Sequence, residues 1–297
     1  MSSTTPAANA DWTVRRILDW TINHLRDKGS DSPRLDAEVL LAHAWNCPRI
    51  QLYTRYDIVV PDDVRARMRD LVKRRAAAEP VAYLVGRREF FSLDFEVRPG
   101  VFIPRPTTEM LVIEAIAFLK DRPAPRVLDL CTGSGCIAIS IARHTPAATV
   151  FAIDRNPLAV EVATANAARH GVGDRVTVLE GDLFDPIADF AACDVIVTNP
   201  PYVRTDELPT LAADIRDHEP HLALDAGADG LDTFRRIIPE LPARIVPGGL
   251  FLAEMDPQQV TAVTDMLNQT GAFGPVTPIA DTDRQHRGLR AIRESNG

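Results

Sequence analysis

The chain has 297 residues, 33 Lys and Arg against 41 Asp and Glu, a formal net charge of −8 and 45% hydrophobic content. That length supports a sizeable core and two domains, and the composition excludes a disordered, collagen-like or disulfide-stapled chain. The acidic balance argues against holding duplex DNA or RNA by phosphate neutralisation alone, leaving only a local basic strip to consider.

The opening MSSTTPAANA is polar, with neither a Lys/Arg cluster nor an apolar core, and reads as the floppy N-terminus of a cytoplasmic chain. No apolar run approaches membrane-spanning length. From Trp12 to about Ala78 the pattern is helical: Val14, Ile17, Leu18, Ile22 and Leu25 recur at helix spacing, Leu35 to Trp45 repeats it, and a third helix runs from Asp62 to Ala78. That third helix carries Arg65, Arg67, Arg69, Lys73, Arg74 and Arg75, read as a solvated face with an RNA- or partner-facing strip as the alternative. Residues 1–85 are therefore expected as a helical domain that recognises the substrate. Between Glu89 and Pro106 the segment EFFSLDFEVRPGVFIPRP alternates apolar and polar residues, predicting a β-hairpin that turns at Pro99-Gly100 and links the domains across 86–107.

Residues 108–297 form the second domain. After a helix near Glu109 to Leu119, strands at 126–130, 149–153, 175–180, 194–198 and 249–254 alternate with helices near 135–143, 157–170, 230–242 and 257–269. Two final strands lie between Val276 and Arg293, around a polar loop at Asp281 to Arg287. The alternation predicts an α/β fold whose parallel sheet is covered on both faces.

The segment Asp129-Leu130-Cys131-Thr132-Gly133-Ser134-Gly135 leaves a strand and enters a helix, the setting of a nucleotide-type loop, and its glycines allow close backbone approach to a ligand. The next strand ends in Asp154, where a carboxylate can accept both hydroxyls of a ribose. Asp129 just before the loop would repel a pyrophosphate and welcome an ammonium. Asp182, followed by Leu183, closes the third strand on the same side of the sheet. A ligand with adenosine, ribose and an amino-acid tail, and no phosphates, satisfies all three acids, which points to S-adenosylmethionine.

The stretch VTNPPY ends the fourth strand abruptly, because proline fixes φ and offers no N–H to a ladder. On its own, such a Pro-Pro turn is an ordinary loop. Only its surroundings can give it another role. The four cysteines, Cys47, Cys131, Cys136 and Cys193, form no CxxC pair, and Pro220 disrupts the spacing of His218 and His221 around Glu219, so no metal site is expected. A reducing compartment fits the cysteine usage.

Taken together, DLCTGSGCIA, AIDRNPLAVEVATANA, GDLF, TNPPY, HEPHLALDAGADGLDTFRRI and PGGLFLAE resemble the class I methyltransferases that modify glutamine side chains of peptide chain release factors. The likeness runs from about Trp12 to the end. It implies a small N-terminal helical domain, a β-hairpin linker and a Rossmann-like, doubly wound S-adenosylmethionine-dependent methyltransferase domain. It also implies methylation of the amide nitrogen (N5) of the glutamine in the GGQ loop of release factors. By the same likeness Cys131, Thr132, Gly133, Ser134, Gly135, Asp154, Asp182, Leu183 and Asn199 line the cofactor, and Asn199, Pro200, Pro201 and Tyr202 hold the glutamine. Release factors are then the partners, in a ribosome-associated setting, with neither membrane nor direct duplex DNA binding.

Three positions depart from the family pattern. Cys131 and Asp256 stand where glycine is usual, and Thr107 stands where Glu is usual, with Glu109 close enough to substitute for it. Rival readings remain: adenine-N6 DNA methyltransferases share the tetrad and flip a base into it, a glutamine methyltransferase of a ribosomal large-subunit protein shares tetrad and architecture, and a non-enzymatic S-adenosylmethionine-binding or RNA-associated module leaves the tetrad unexplained.

Overall fold

The computed structural model describes residues 11–281 and 284–295. The opening decapeptide and part of the polar loop at Asp281 to Arg287 lie outside the described residues. Two compact units emerge, Met1–Gly86 and Arg87–Gly297.

The first unit is helical: α1 (Val14–Asp27), α2 (Pro33–Ala44), α3 (Ile50–Thr54), α4 (Asp62–Ala76) and α5 (Val81–Val85). Thr13 caps α1 by accepting the Arg16 N–H, and the apolar stripe Val14, Ile17, Leu18 and Leu25 faces the core with Leu40 and Leu41 of α2 and Met68 of α4. The arginines of α4 are largely spent within the unit. Arg75 pairs with buried Asp36 at 2.8 Å, Arg67 bonds the Ala44 carbonyl and pairs with Asp63, and Arg74 chelates Glu79. The basic run is therefore a set of intramolecular struts more than a continuous strip.

The second unit begins with the hairpin β1 (Arg87–Phe90) and β2 (Leu93–Glu96), followed by α6 (Glu109–Leu119). The hairpin turns at Phe91-Ser92, not at Pro99-Gly100 as the sequence suggested. Phe91 and Ser92 both take positive φ, 50° and 59°, as a mirror-type two-residue turn requires, and the Glu109 carboxylate accepts the Phe91 N–H at 2.8 Å. Pro99-Gly100 makes a separate turn, after which Pro104 and Pro106 prevent strand pairing. Phe90 and Phe95 bury the hairpin in the core of this unit.

The sheet follows with β3 (Arg126–Leu130), α7 (Cys136–His144), β4 (Thr149–Asp154), α8 (Pro157–Arg169), β5 (Val176–Glu180), β6 (Cys193–Thr198), α9 (Ala213–Arg216), α10 (Asp232–Ile237), α11 (Leu241–Arg244), β7 (Ile245–Glu254), α12 (Val260–Gln269), β8 (Thr277–Ala280) and β9 (His286–Ile292). The strand order is β5-β4-β3-β6-β7-β9-β8, with β9 antiparallel to both neighbours. Central strands β3, β6 and β7 are nearly continuous apolar runs because helices cover both faces. Edge strand β8 tolerates Pro278 because, among the described residues, no strand pairs its outer side.

The stretch expected as a single helix over 230–242 is α10, a 3-10 turn at Ile238–Glu240 and α11, because Pro239 and Pro242 each remove a helical N–H and start a new segment. The order reverses at β3, whose neighbours are β4 and β6, and this switch point opens a crevice at the carboxyl ends of the strands.

Candidate active site

The loop after β3 is shaped by three residues in left-handed conformation: Cys131 (φ 59°), Gly133 (56°) and Gly135 (80°). A left-handed conformation costs an L-residue roughly 1–2 kcal/mol, so Cys131 holds a strained position for which glycine is the natural occupant. Gly135 precedes α7 and has no side chain to cap it. Asp129 does this instead: its Oδ2 accepts the Ala138 N–H at 3.2 Å and the Thr132 hydroxyl at 2.6 Å. Full burial pushes its carboxyl up to about 7, and Oδ1 makes no hydrogen bond.

Asp154 stands at the end of β4. Its Oδ2 accepts the Gly133 N–H at 2.8 Å and its Oδ1 the Asn156 N–H at 2.9 Å. Burial raises its pKa, and those backbone donors partly offset the rise. Asn156 caps α8 by accepting the Leu158 N–H, while its amide reaches the Gly100 carbonyl. Asn166, fully buried on α8, exchanges two bonds with the Glu96 backbone and donates to the Ser134 carbonyl, tying the hairpin to the glycine loop. Asp182 carries an ion pair to Arg236 at 2.8 Å.

At the end of β6, Thr198 donates to the Leu130 carbonyl and Asn199 begins the proline turn. The Asn199 Nδ2 donates to the Thr108 hydroxyl at 3.1 Å. Tyr202 is fixed at both ends: the Gln259 amide donates to its carbonyl at 2.8 Å, and its hydroxyl lies 3.5 Å from Glu254 Oε1. Gln259 is itself set by Asp256, which caps the turn after β7 and receives the Gln259 side chain on its own N–H at 3.2 Å. Beyond the tetrad, Val203 exchanges backbone bonds with Leu224 and Ala226. Burial raises the Tyr202 phenol and the Cys131 and Cys136 thiols well above their ordinary values, so none ionises near neutrality.

Gly230 is the tightest element of this support. With φ at 74°, a Cβ there would lie 2.4 Å from the Tyr202 carbonyl and 2.2 Å from the Gln259 amide. Gly230→Ala is expected to cost about 2–3 kcal/mol, read as a lowered denaturant midpoint at unchanged m-value, with methyl transfer falling alongside.

These residues surround one cleft, open to solvent. Cys131, Thr132, Gly133, Ser134, Asp154, Asp182, Leu183 and the whole tetrad Asn199-Pro200-Pro201-Tyr202 line it. Gly135 packs against Ala163 of α8, and Asp129 lies beneath the loop, its Oδ2 serving α7 and Thr132 while its Oδ1 makes no hydrogen bond. Sequence reasoning also passed over Thr108 and Glu254, which support the tetrad, and Glu219, which binds the Ile103 N–H and Arg105 and so secures the Phe102 and Pro104 wall. The repeated acid at the end of a buried strand was the signal for Glu254. Thr108 and Glu219 gave none. Among the described residues, no group of three or more His, Cys, Asp or Glu is arranged to hold a metal ion.

The geometry suits S-adenosylmethionine. Two backbone N–H groups use only part of the Asp154 carboxylate's acceptor capacity, leaving lone pairs for a vicinal diol. Space is open above Gly133, where a Cβ would meet no atom within 4 Å, so a ligand can approach the backbone there. The carboxylates at the cleft suit a cationic ligand better than a pyrophosphate.

Comparison with known proteins agrees. The PrmC N-terminal domain family matches residues 16–86, and the Methyltransferase small domain family matches residues 93–220. A release factor glutamine methyltransferase of Rhodopirellula baltica is 43% identical over 274 residues, covering 91% of this chain and 93% of that protein. The chain belongs to the release factor glutamine methyltransferase family. The release factor glutamine methyltransferase of Geobacter sulfurreducens is 44% identical over 261 residues, 88% of this chain and 90% of its own. In structure, a methyltransferase from Pyrococcus furiosus aligns at TM-score 0.50 and 18% identity over 69% of this chain and 91% of its own, a likeness of fold. The class I fold expected from sequence is thus the fold of this release factor glutamine methyltransferase family member, which uses S-adenosylmethionine as methyl donor.

Proposed function

We propose that this enzyme methylates the side-chain amide nitrogen (N5) of the glutamine in the GGQ loop of peptide chain release factors, with the Asn199-Pro200-Pro201-Tyr202 turn as the glutamine seat. The observation that carries the reading is the orientation of Asn199: its NH₂ is engaged by Thr108, so its oxygen is the polar atom it offers to the cleft. That oxygen and the Pro200 carbonyl each accept one N–H of the target amide. An amide nitrogen is a poor nucleophile, its lone pair being delocalised into the carbonyl, so fixing its plane and line of approach is the main catalytic task. Tyr202 covers the flat face of the amide. S-adenosylmethionine, when bound, supplies a methyl group on a positively charged sulfur. Asp154 holds the ribose hydroxyls, the Cys131 to Ser134 loop takes the amino-acid tail, and Leu183 and Asp182 border the adenosine. Asp129 supports the loop from beneath.

The helical domain is the candidate grip for the partner. Trp20, about half exposed, stacks on His24 beside Arg69 and Lys73, an amphipathic surface suited to a protein segment. The reading sets the enzyme in the cytoplasm beside the ribosome, consistent with four free cysteines and with no described helix long and apolar enough to cross a membrane.

Labelled S-adenosylmethionine offered with a release factor, ribosomal proteins and unmethylated duplex DNA tests the assignment. Label is expected on the release factor alone, at the GGQ glutamine, and to vanish when that glutamine is replaced. Label on a ribosomal protein or on DNA overturns the choice of substrate. A chain starting at residue 87 is expected to bind cofactor while losing protein methylation.

A further inference from the structure

We propose that Glu219 is a positioning residue that latches two walls of the cleft together, so that one carboxylate sets both the affinity for S-adenosylmethionine and the aim of the glutamine seat. The inference rests on the reading of the cleft as the site of cofactor and glutamine.

The first wall is the strap from Gly100 to Thr108. Val101 packs it against Ala159 and Val162 of α8, but from there its own backbone gives little. Pro104 and Pro106 bring no N–H, and among the described residues the strap pairs with no strand before the 3-10 turn Pro106–Thr108. Polar contacts from three other segments fix it instead. The Asn156 amide donates to the Gly100 carbonyl at 2.8 Å, the Thr108 hydroxyl accepts from Asn199 Nδ2 at 3.1 Å, and between them Glu219 accepts the Ile103 N–H at 3.1 Å and the Arg105 guanidinium. Ile103 lies between Phe102 and Pro104, which line the cleft, so the Glu219 contact falls at the middle of the wall. Arg105 in turn lies over the Phe102 ring, 4.9 Å from its centroid, and orients it.

The second wall follows Glu219 itself. Its N–H bonds the Ile215 carbonyl at α9, Pro220 and Leu222 line the cleft, and the Leu224 carbonyl accepts the Val203 N–H at 2.9 Å, one residue beyond the tetrad. The contacts close a ring: from Asn199 through Thr108 to Ile103, across Glu219 to Leu224, and back through Val203 to Tyr202. Cofactor wall and glutamine seat are therefore one mechanical piece, with Glu219 as its clasp. The Glu219 side chain is only 1% exposed, so water cannot replace its partners. An ionised carboxylate there needs both its N–H donor and its cation, and removing either leaves a buried group unpaired. With the clasp gone the strap is held only at its ends, and Phe102, Pro104 and Thr108 are free to shift against the cofactor and the Asn199 amide.

The test is calorimetric titration of S-adenosylmethionine into the full chain, beside kcat and KM for a release factor at saturating cofactor. Glu219→Ala is expected to weaken the cofactor about 10-fold to 100-fold and to lower kcat by a similar factor. Release-factor KM should change little, and one cofactor site per chain should remain. A merely destabilised enzyme would instead bind at fewer sites with unchanged Kd. Glu219→Gln, of equal size, keeps an acceptor for the Ile103 N–H but no charge for Arg105, so it should fall between the two and reports even if the alanine chain fails to fold. Arg105→Met is expected to match Glu219→Gln, and the double variant to add nothing further, since both break one contact. Unchanged Kd and kcat in the Glu219 variants overturn the proposal, as does binding lost only as a fall in the number of sites, or a weaker Kd with kcat untouched. If Asp154→Ala also leaves cofactor Kd unmoved, the reading of the cleft fails instead, which separates the two outcomes.

Discussion

Asn199→Ala is expected to slow methyl transfer by roughly 10²–10³ at saturating cofactor, the usual cost of losing one preorganised polar contact to the reacting group, about 2.7–4 kcal/mol in the barrier. Truncation removes one of two acceptors for the target N–H groups and also releases Thr108, whose hydroxyl has the Asn199 amide as its donor. The Pro200 carbonyl alone leaves the amide free to swing about a single bond, so alignment with the methyl group is lost. Because the ribose and the amino-acid tail are held by other residues, cofactor Kd should change far less than kcat. Single-turnover kinetics with a release factor, set beside calorimetric Kd, separates the two effects. An undiminished single-turnover rate would reduce the tetrad to a rigid loop. Asn199→Asp sharpens the comparison. It keeps an oxygen but loses the donor to Thr108, and it sets a second carboxylate near Glu254.

Asp154→Ala is expected to weaken S-adenosylmethionine and its demethylated product by about 2–4 kcal/mol, roughly 30-fold to 1000-fold in Kd. The carboxylate acts twice: it accepts the Gly133 and Asn156 N–H groups, which shapes the loop, and its remaining lone pairs suit the two ribose hydroxyls. Asp154→Asn keeps one acceptor oxygen and offers an N–H where a second acceptor stood, so its affinity should fall between the two. Calorimetric titration orders the three proteins. A Kd for Asp154→Ala within a few-fold of the unmodified enzyme would remove the ribose from this position.

The sheet was legible because its inner strands are short apolar runs flanked by turn residues: Arg126–Leu130 appears as read, and the next strand differs by one residue, Asp154. The helix over 230–242 was not, since two prolines inside an apolar periodicity can begin new segments as readily as interrupt one. Pro99-Gly100 has the composition of a hairpin turn, whereas Phe91-Ser92 turns with the help of a carboxylate, Glu109, eighteen positions away. In the cleft, Asp154 and the tetrad could be read because strand ends place them. Asp129 is less legible, because an acid before a glycine loop serves a ligand or a helix terminus equally well on paper; in the structure one of its oxygens serves the helix and the other makes no hydrogen bond. Thr108 and Glu254 were missed because nothing local connects positions 108, 199 and 254. Only the parallel packing of β6 against β7 brings the last two together.

The tetrad occupies four consecutive positions, yet it is held by Thr108 ahead of α6, by the Leu224–Ala226 backbone, by Gly230 and by Gln259 after β7. Its working shape is therefore not a portable cassette. Transplanted into another sheet at the same strand end, Asn-Pro-Pro-Tyr would bring its stiffness but not the hydroxyl that aims the amide or the glutamine that pins the tyrosine carbonyl. A designer moving this chemistry to a new scaffold would have to carry at least those distant supports with it, and would judge the graft by them rather than by the motif.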